Sequence, residues 1–500
     1  MSGERTKGDS GVGSAEIDAS GLGVAATIAC VGAAAIAQPA AAAPRAVTGD
    51  IDKNALLAKL VRRLTWGFTQ EEYALAQRLG YEGYLEYHLN PGEIDDSEFE
   101  TRLAGYTTLN MSSDQLFRLT GGQVVSELAE AMLLRAVYSK RQLYERMVDF
   151  WSDHFSIDID VDLCFYLKTV DDREVVRPNA LEKFPKMLKA STQSPCMLRY
   201  LSNDTNLAGS PNENYARELM ELHSLSVEGG YTQSDVREVA RCFTGWSISR
   251  QTVGNSWGKL LFESAYHDNG TKVVLGHRIP ANGGANDAAI VAEMLGSHPA
   301  TGRFIAEKLC KKFLGEDVTN SVIDGVAAKF MSTGGDIKSM LRMIFRPENL
   351  YTDFGPRYKR PQHMMISALR VLPVTITSTQ ILRITHLNGA GHLPFNWSPP
   401  DGYPDMLSHW QGHVLSRWNY AALMVTQGIP GLSFDVGAYF AGRTTAAQMI
   451  DHIDVTLFGG ELPSVQRSIL HSHLSVNPLD VARQRDTVGL ALSSPSFQWY

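Results

Sequence analysis

At 500 residues, with 44% hydrophobic and 20% charged side chains, the chain reads as a soluble globular protein able to bury one large core or two to three ordinary ones. A formal net charge of -8 argues against the basic field of a nucleic-acid binder, and no RRM, zinc-finger or P-loop pattern occurs, so no nucleic-acid partner is expected. The five cysteines, Cys30, Cys164, Cys196, Cys242 and Cys310, stand in no CxxC spacing, which excludes a zinc–thiolate reading.

Residues 1–50 read as a signal-like or flexible leader. Gly21 to Ala37, GLGVAATIACVGAAAIA, is an uncharged apolar run ending in the A-x-A-like Ala35-Ile36-Ala37, as in a secretory signal. Its flank departs from one, because Arg5 and Lys7 are outnumbered by Glu4, Asp9, Glu16 and Asp18 and no twin arginine precedes the run. The run is also weak as a membrane span, which needs about 20 strongly apolar residues. The expectation is an exported protein, periplasmic or extracellular, with no membrane contact beyond this leader. Export would allow the four later cysteines to form disulfides.

From residue 51 to 500 the pattern predicts a mainly α, multi-helical single large domain: a helical core over 52–245, a short β-hairpin insertion over 246–279, and helices again over 285–500 around a Pro/Trp-rich loop at 389–405. Asp52 caps a helix through Leu64, and Thr69-Gln-Glu-Glu72 is a capping box for a helix that Gly80 should end. Residues 122–138 and 140–155 read as longer helices, and 179–193 as one that starts late or kinks at Pro185. A helix from Asn212 should stop at Gly229-Gly230, and Thr232-Gln-Ser-Asp235 caps the next. Strands are expected at 246–250, 259–263 and 272–279, with His267-Asp268-Asn269-Gly270 as the turn between the last two. Further helices follow at 285–297, 299–314, 318–332, 336–346 and 361–372.

The chemistry-bearing stretch is NENYARELMELHSL, residues 212–225. On a helical wheel Glu213, Arg217 and Glu221 share a polar face with Asn214 and Glu218, while His223 falls about 140° from Glu218 among apolar residues. The plain reading is a solvated ion-paired face, each pair worth about 0.2–0.5 kcal/mol, and a core histidine with a backbone partner. In FWSDHF, residues 150–155, His154 also faces the apolar side, beside Asp153. Two inward histidines and His267-Asp268 could converge into a general acid–base site or a His/Asp metal site. His409 and His413 have metal-like spacing but lack the glutamate of a zincin. No G-x-S-x-G elbow and no strand-linked G-x-G-x-x-G occurs.

Several segments stand in a telling order: RRLTWGFTQEEYALAQRLGYEGYLEYHLNP (62–91), ERMVDFWSDHF (145–155), NENYARELMELHSLSVEGGYTQSDVREVARCFTGW (212–246), YHDNGTKVVLG (266–276), HPATGRFIAEKLCKKF (298–313) and PPDGYPDMLSHW (399–410). Together they resemble the bacterial family called domain of unknown function 1800, over about residues 55–495. The resemblance implies an exported protein without a settled activity, encoded beside an exported phosphatase/sulfatase-like protein that would be its partner. It also implies that Asn212, Glu213, Arg217, Glu218 and His223, which stand in the motif block, do more than solvate a helix. Two departures are the degenerate leader and Asp153, where the family often has a neutral Asn.

The expected function is therefore a hydrolase or lyase acting on an envelope polymer or glycan. His154, His223 and His267 would be its bases or ligands, with Asp268 and Glu218 as acid, orienter or metal ligand. Asp153, Asn212, Glu213, Asn214, Arg217 and Glu221 would bind and position. A divalent metal is the cofactor such a set could take. The alternatives are a non-catalytic secreted scaffold for the phosphatase/sulfatase-like partner, and a metal-dependent oxidoreductase.

Overall fold

The computed structural model describes residues 52–500 except 252–253, 353 and 355–356; the leader and Cys30 lie outside the described residues. Asp52 accepts hydrogen bonds from the Asn54 and Ala55 amides and opens the helix Lys53–Leu64, whose buried face carries Leu56, Leu57, Leu60, Val61 and Leu64. Side-chain capping of this kind satisfies amides that the first turn leaves free. Thr69 caps Gln70–Leu89 in the same way, but Gly80, at φ 70°, bends that helix instead of ending it. Glycine takes this left-handed conformation without a Cβ clash. Gly121–Tyr138 and Gln142–His154 match the expected pair. Phe184–Thr192 starts late because Pro185 occupies its first turn, where its missing N–H costs nothing.

The helix of the motif block is shorter than its periodicity predicts, Asn214–Glu221. After it the His223 amide bonds the Glu218 carbonyl at 3.1 Å and the Leu225 amide bonds that of Met220 at 2.9 Å, both five residues back. This wide turn breaks the 100° step on which the helical wheel rests. The break shifts His223 from its ideal wheel angle, yet its ring stays on the buried side.

Among the described residues three two-stranded antiparallel sheets interrupt the helices. Trp246–Ile248 pairs with Leu260–Phe262, as the β insertion predicts. The span 272–279 is not one strand. Lys272–Val274 folds back on His277–Ile279 through Leu275 and Gly276, both at positive φ, a two-residue hairpin turn. Asn269-Gly270 instead follows Asp268, whose carboxylate accepts the Gly270 amide at 2.8 Å. A third sheet, Val374–Ile376 with Leu432–Phe434, lies inside the stretch expected to be only helical. Three residues per strand leave little alternation to read.

Two apolar cores fill the molecule. One gathers Lys53–Leu64, Gln142–His154, Asn214–Glu221 and Pro299–Phe313 with their neighbours. The other gathers Gly121–Tyr138, Pro361–Val371, Val414–Val425 and Val481–Ser493. Each fully buried Leu, Ile or Phe contributes roughly 1.5–3 kcal/mol. Charged side chains cross between the cores: Arg370 to Glu72 at 3.1 Å and Arg360 to Asp153 at 2.8 Å. Ligand sites favour such seams.

Candidate functional site

His154 closes its helix and turns inward, 1% exposed, among the rings of Trp151, Phe155 and Phe184. Its Nδ1 lies 3.0 Å from Lys308 Nζ and its Nε2 lies 3.2 Å from the His223 carbonyl. An ammonium only donates, so Nδ1 accepts and Nε2–H donates to His223. That fixes a neutral tautomer. Burial, then the Lys308 charge and the His223 ring, holds this imidazole well below its ordinary range.

The His223 ring is fully buried, with its centroid 6.1 Å from that of His154. Neither of its ring nitrogens has a hydrogen-bond partner among the described residues. Burial and the Lys308 charge push its pKa down to about 3. Buried polar atoms without partners cost about 1–3 kcal/mol each. Their retention is a functional signal.

Lys308 sits on Pro299–Phe313, partly exposed. Among the described residues its one hydrogen bond is to His154 and it forms no ion pair. Burial lowers its pKa, while Asp153 and Asp405 pull the other way. Beside it, Asp153 accepts from Arg360 Nη1 at 2.8 Å and from the Tyr403 amide at 2.7 Å. Arg360 also holds Asp405 at 2.8 Å and the Tyr403 carbonyl at 2.7 Å. Gly402, at φ 79°, lies so close to the Asp153 carbonyl that a Cβ would collide with it. The loop 389–405 is thereby clamped against the end of the His154 helix.

The same loop brings up Asp401, whose charge acts on both Lys308 and Glu218. Asp401 thus links Lys308 and Glu218 electrostatically. Burial and then Glu221 raise the Glu218 carboxyl, with Arg217 opposing. Trp397 donates to Asp401 at 2.9 Å and Tyr200 to the Ser398 carbonyl at 2.7 Å, so aromatic rings flank the carboxylates.

The other sequence candidates lie elsewhere. Glu213, Arg217 and Glu221 form the half-exposed ion-paired face, joined by Gln233. Asn212 and Asn214 hold the preceding loop through the Ser202 and Leu201 carbonyls. His267 belongs to a separate buried cluster: Nε2 at 3.1 Å from Asp287, which also takes Lys272 Nζ at 2.5 Å, and Nδ1 at 2.8 Å from the Thr244 carbonyl. Asp268 is held by Arg241 at 2.7 and 3.1 Å. So His154 and His223 meet, and His267 shares no partner with them.

Among the described residues no group of three or more His, Cys, Asp or Glu side chains is arranged to hold a metal ion. The divalent metal and the oxidoreductase expectation thus find no ligand set there. Cys164, Cys196, Cys242 and Cys310 are buried free thiols, with Cys164 and Cys196 adjoining: each Sγ lies within 3.8 Å of the other's carbonyl oxygen. Among the described residues no helix is long and apolar enough to cross a membrane.

Comparison with known families matches residues 59–499 to the family described as "Protein of unknown function (DUF1800)". The chain belongs to that family. Neither the curated proteins nor the solved structures gave a match. The match spans all of these residues, including Lys308, Arg360, Asp401 and Asp405, which were not singled out from the sequence. Lys308, Asp401 and Asp405 stand in the segments HPATGRFIAEKLCKKF and PPDGYPDMLSHW that carry the resemblance. Those segments were the available signal.

Proposed function

We propose that this DUF1800 member is a hydrolase or lyase that cleaves an envelope polymer or glycan by acid–base chemistry at Lys308, Glu218 and Asp401. The observation that carries this reading is the Lys308 ammonium, 3.0 Å from His154 Nδ1 and without a carboxylate partner among the described residues. A half-buried cation kept unpaired beside a neutral imidazole costs stability, and depressed lysines of this kind serve as bases. In its neutral form Lys308 takes a proton from an attacking water, for hydrolysis, or from a carbon acid of the substrate, for elimination. Glu218, its carboxyl raised by burial and Glu221, gives a proton to the bridging oxygen as that bond breaks. His154 positions Lys308 by fixing the direction of their hydrogen bond. Trp397 and Tyr200 offer flat surfaces for sugar rings.

Purified protein assayed on isolated envelope glycans for new chain ends tests this. Lys308→Met and Glu218→Gln are each expected to lower the rate by roughly 10²–10⁴-fold with the fold retained. Cleavage that survives both substitutions would remove the reading. The proposal includes export to the periplasm or beyond, supported by the apolar Gly21–Ala37 run and checked by cell fractionation.

One observation favours the scaffold alternative. The helix Ser464–Ser475 and the residue after it expose Val465 (70%), Ile469 (40%) and Val476 (72%), which share one face at helical spacing. Such a stripe suits a protein partner, and the phosphatase/sulfatase-like neighbour is the partner proposed. Sedimentation of the two proteins mixed, with Val465→Glu as control, tests it.

A further inference from the structure

A cleft lies on the seam between the two cores, and Lys308 is not part of its lining. It encloses about 270 Å³ and is walled by Trp66, Phe68, Phe458, Phe497 and Trp499. Lys359 reaches into it, 8% exposed. Among the described residues its ammonium has no hydrogen-bond acceptor and no ion-pair partner; it lies over the face of Phe497, 4.2 Å from the ring centroid. Arg62 stands at the same cleft, paired with Glu461 at 2.6 Å.

Neighbouring cations add to the cost of charging Lys359. Burial, and then Arg62, Arg146 and Arg417, lowers its pKa to about 7. Arg146 donates to the Tyr500 hydroxyl at 3.0 Å and to His363 Nε2 at 3.4 Å. His363 is itself kept neutral by burial and by Arg146. The cleft is therefore an aromatic-walled space holding a buried lysine with no ion-pair partner among the described residues. A bound anion would supply the partner that the charged form of Lys359 lacks, and ring walls favour a flat ligand.

We propose that this cleft binds a small planar anion, a single aromatic or heteroaromatic ring bearing a carboxylate or a phosphate, with the Lys359 ammonium as its charge partner. The ring lies between the aromatic walls. Its oxyanion replaces the missing partner of Lys359, with Arg62 at the mouth. This site shares no lining residue with the Lys308, Glu218 and Asp401 group and does not depend on the cleavage activity.

Benzoate and phenyl phosphate are the probes, titrated into the full chain while its tryptophan fluorescence and binding heat are followed; Trp66 and Trp499 line the cleft. At least one probe is expected to saturate in the micromolar to millimolar range, and Lys359→Met should weaken it by about tenfold or more. A merely structural lysine would lower the thermal midpoint when removed; Lys359→Met should instead leave the midpoint of the free protein at or above that of wild type. Lys359→Gln, which keeps a polar head, serves if the Met variant does not fold, and is expected to lose binding in the same way. Failure of both probes to saturate wild type, or undiminished binding by the folded variants, overturns the proposal.

Discussion

Arg360 Nη1 meets Asp153 Oδ2 at 2.8 Å, and this bond joins the end of the His154 helix to the first residue before Pro361–Val371. Burial pushes the Asp153 carboxyl up, against the pull of Arg360. The Tyr403 amide also donates to Asp153, and Asp405 shares Arg360. Asp153→Asn keeps an acceptor for Tyr403 and leaves Arg360 one carboxylate, so it should cost about 1–2 kcal/mol. Asp153→Ala removes both and should cost about 3 kcal/mol. Urea midpoints of the two variants decide this, and equal losses would contradict it.

His223 provides a test of what its bare nitrogens are for. If its ring only fills space, His223→Leu should be neutral or gain about 1 kcal/mol, since it removes buried polar atoms without partners. A loss of more than about 2 kcal/mol would mean that the nitrogens are bonded to something the protein needs.

Acid should destabilise the fold through the same ring. Its pKa of about 3 in the folded chain lies below the ordinary value near 6.5. Between those values the unfolded state binds more protons, so stability is full above about pH 6.5 and falls as pH drops toward about 3. For His223 alone the loss is on the order of 4 kcal/mol. Denaturant midpoints over that range should slope downward with acidity, and the slope should be shallower in His223→Leu.

The cluster of Lys272, Asp287 and His267 should behave as architecture. Asp287→Asn leaves the fully buried Lys272 ammonium without its counter-charge, which should cost about 3–5 kcal/mol. His267→Gln should cost less and leave any glycan cleavage at wild-type rate. A selective loss of cleavage without loss of stability would instead put His267 in the reaction.

Tyr500 should ionise near neutrality. Burial alone would raise its phenol, but Arg146, Arg357, Lys312 and Arg63 outweigh it and bring the pKa to about 7. An ultraviolet difference titration should show one phenolate forming near pH 7, absent in Tyr500→Phe.

The sequence by itself determined the helical class, the family and most helix starts. Caps such as Asp52, Thr232 and Pro185 act within one turn of the chain, and amphipathic faces such as Leu56, Leu60 and Leu64 repeat at the helical period. It also marked His154 and His223 as inward, because apolar neighbours in sequence bury a side chain wherever the helix goes. Only tertiary structure decided what those rings meet. Lys308 is separated from His154 by 154 positions, and Arg360 from Asp153 by 207, distances over which no local spacing carries information. His267 looked like a third member of the site because His267-Asp268 sets an imidazole beside a carboxylate; in the fold its ring meets Asp287 and Lys272 instead. The unpaired state of Lys359 was illegible for the same reason. Whether a lysine is solvated or stranded depends on which distant walls close around it, and those walls come from both cores.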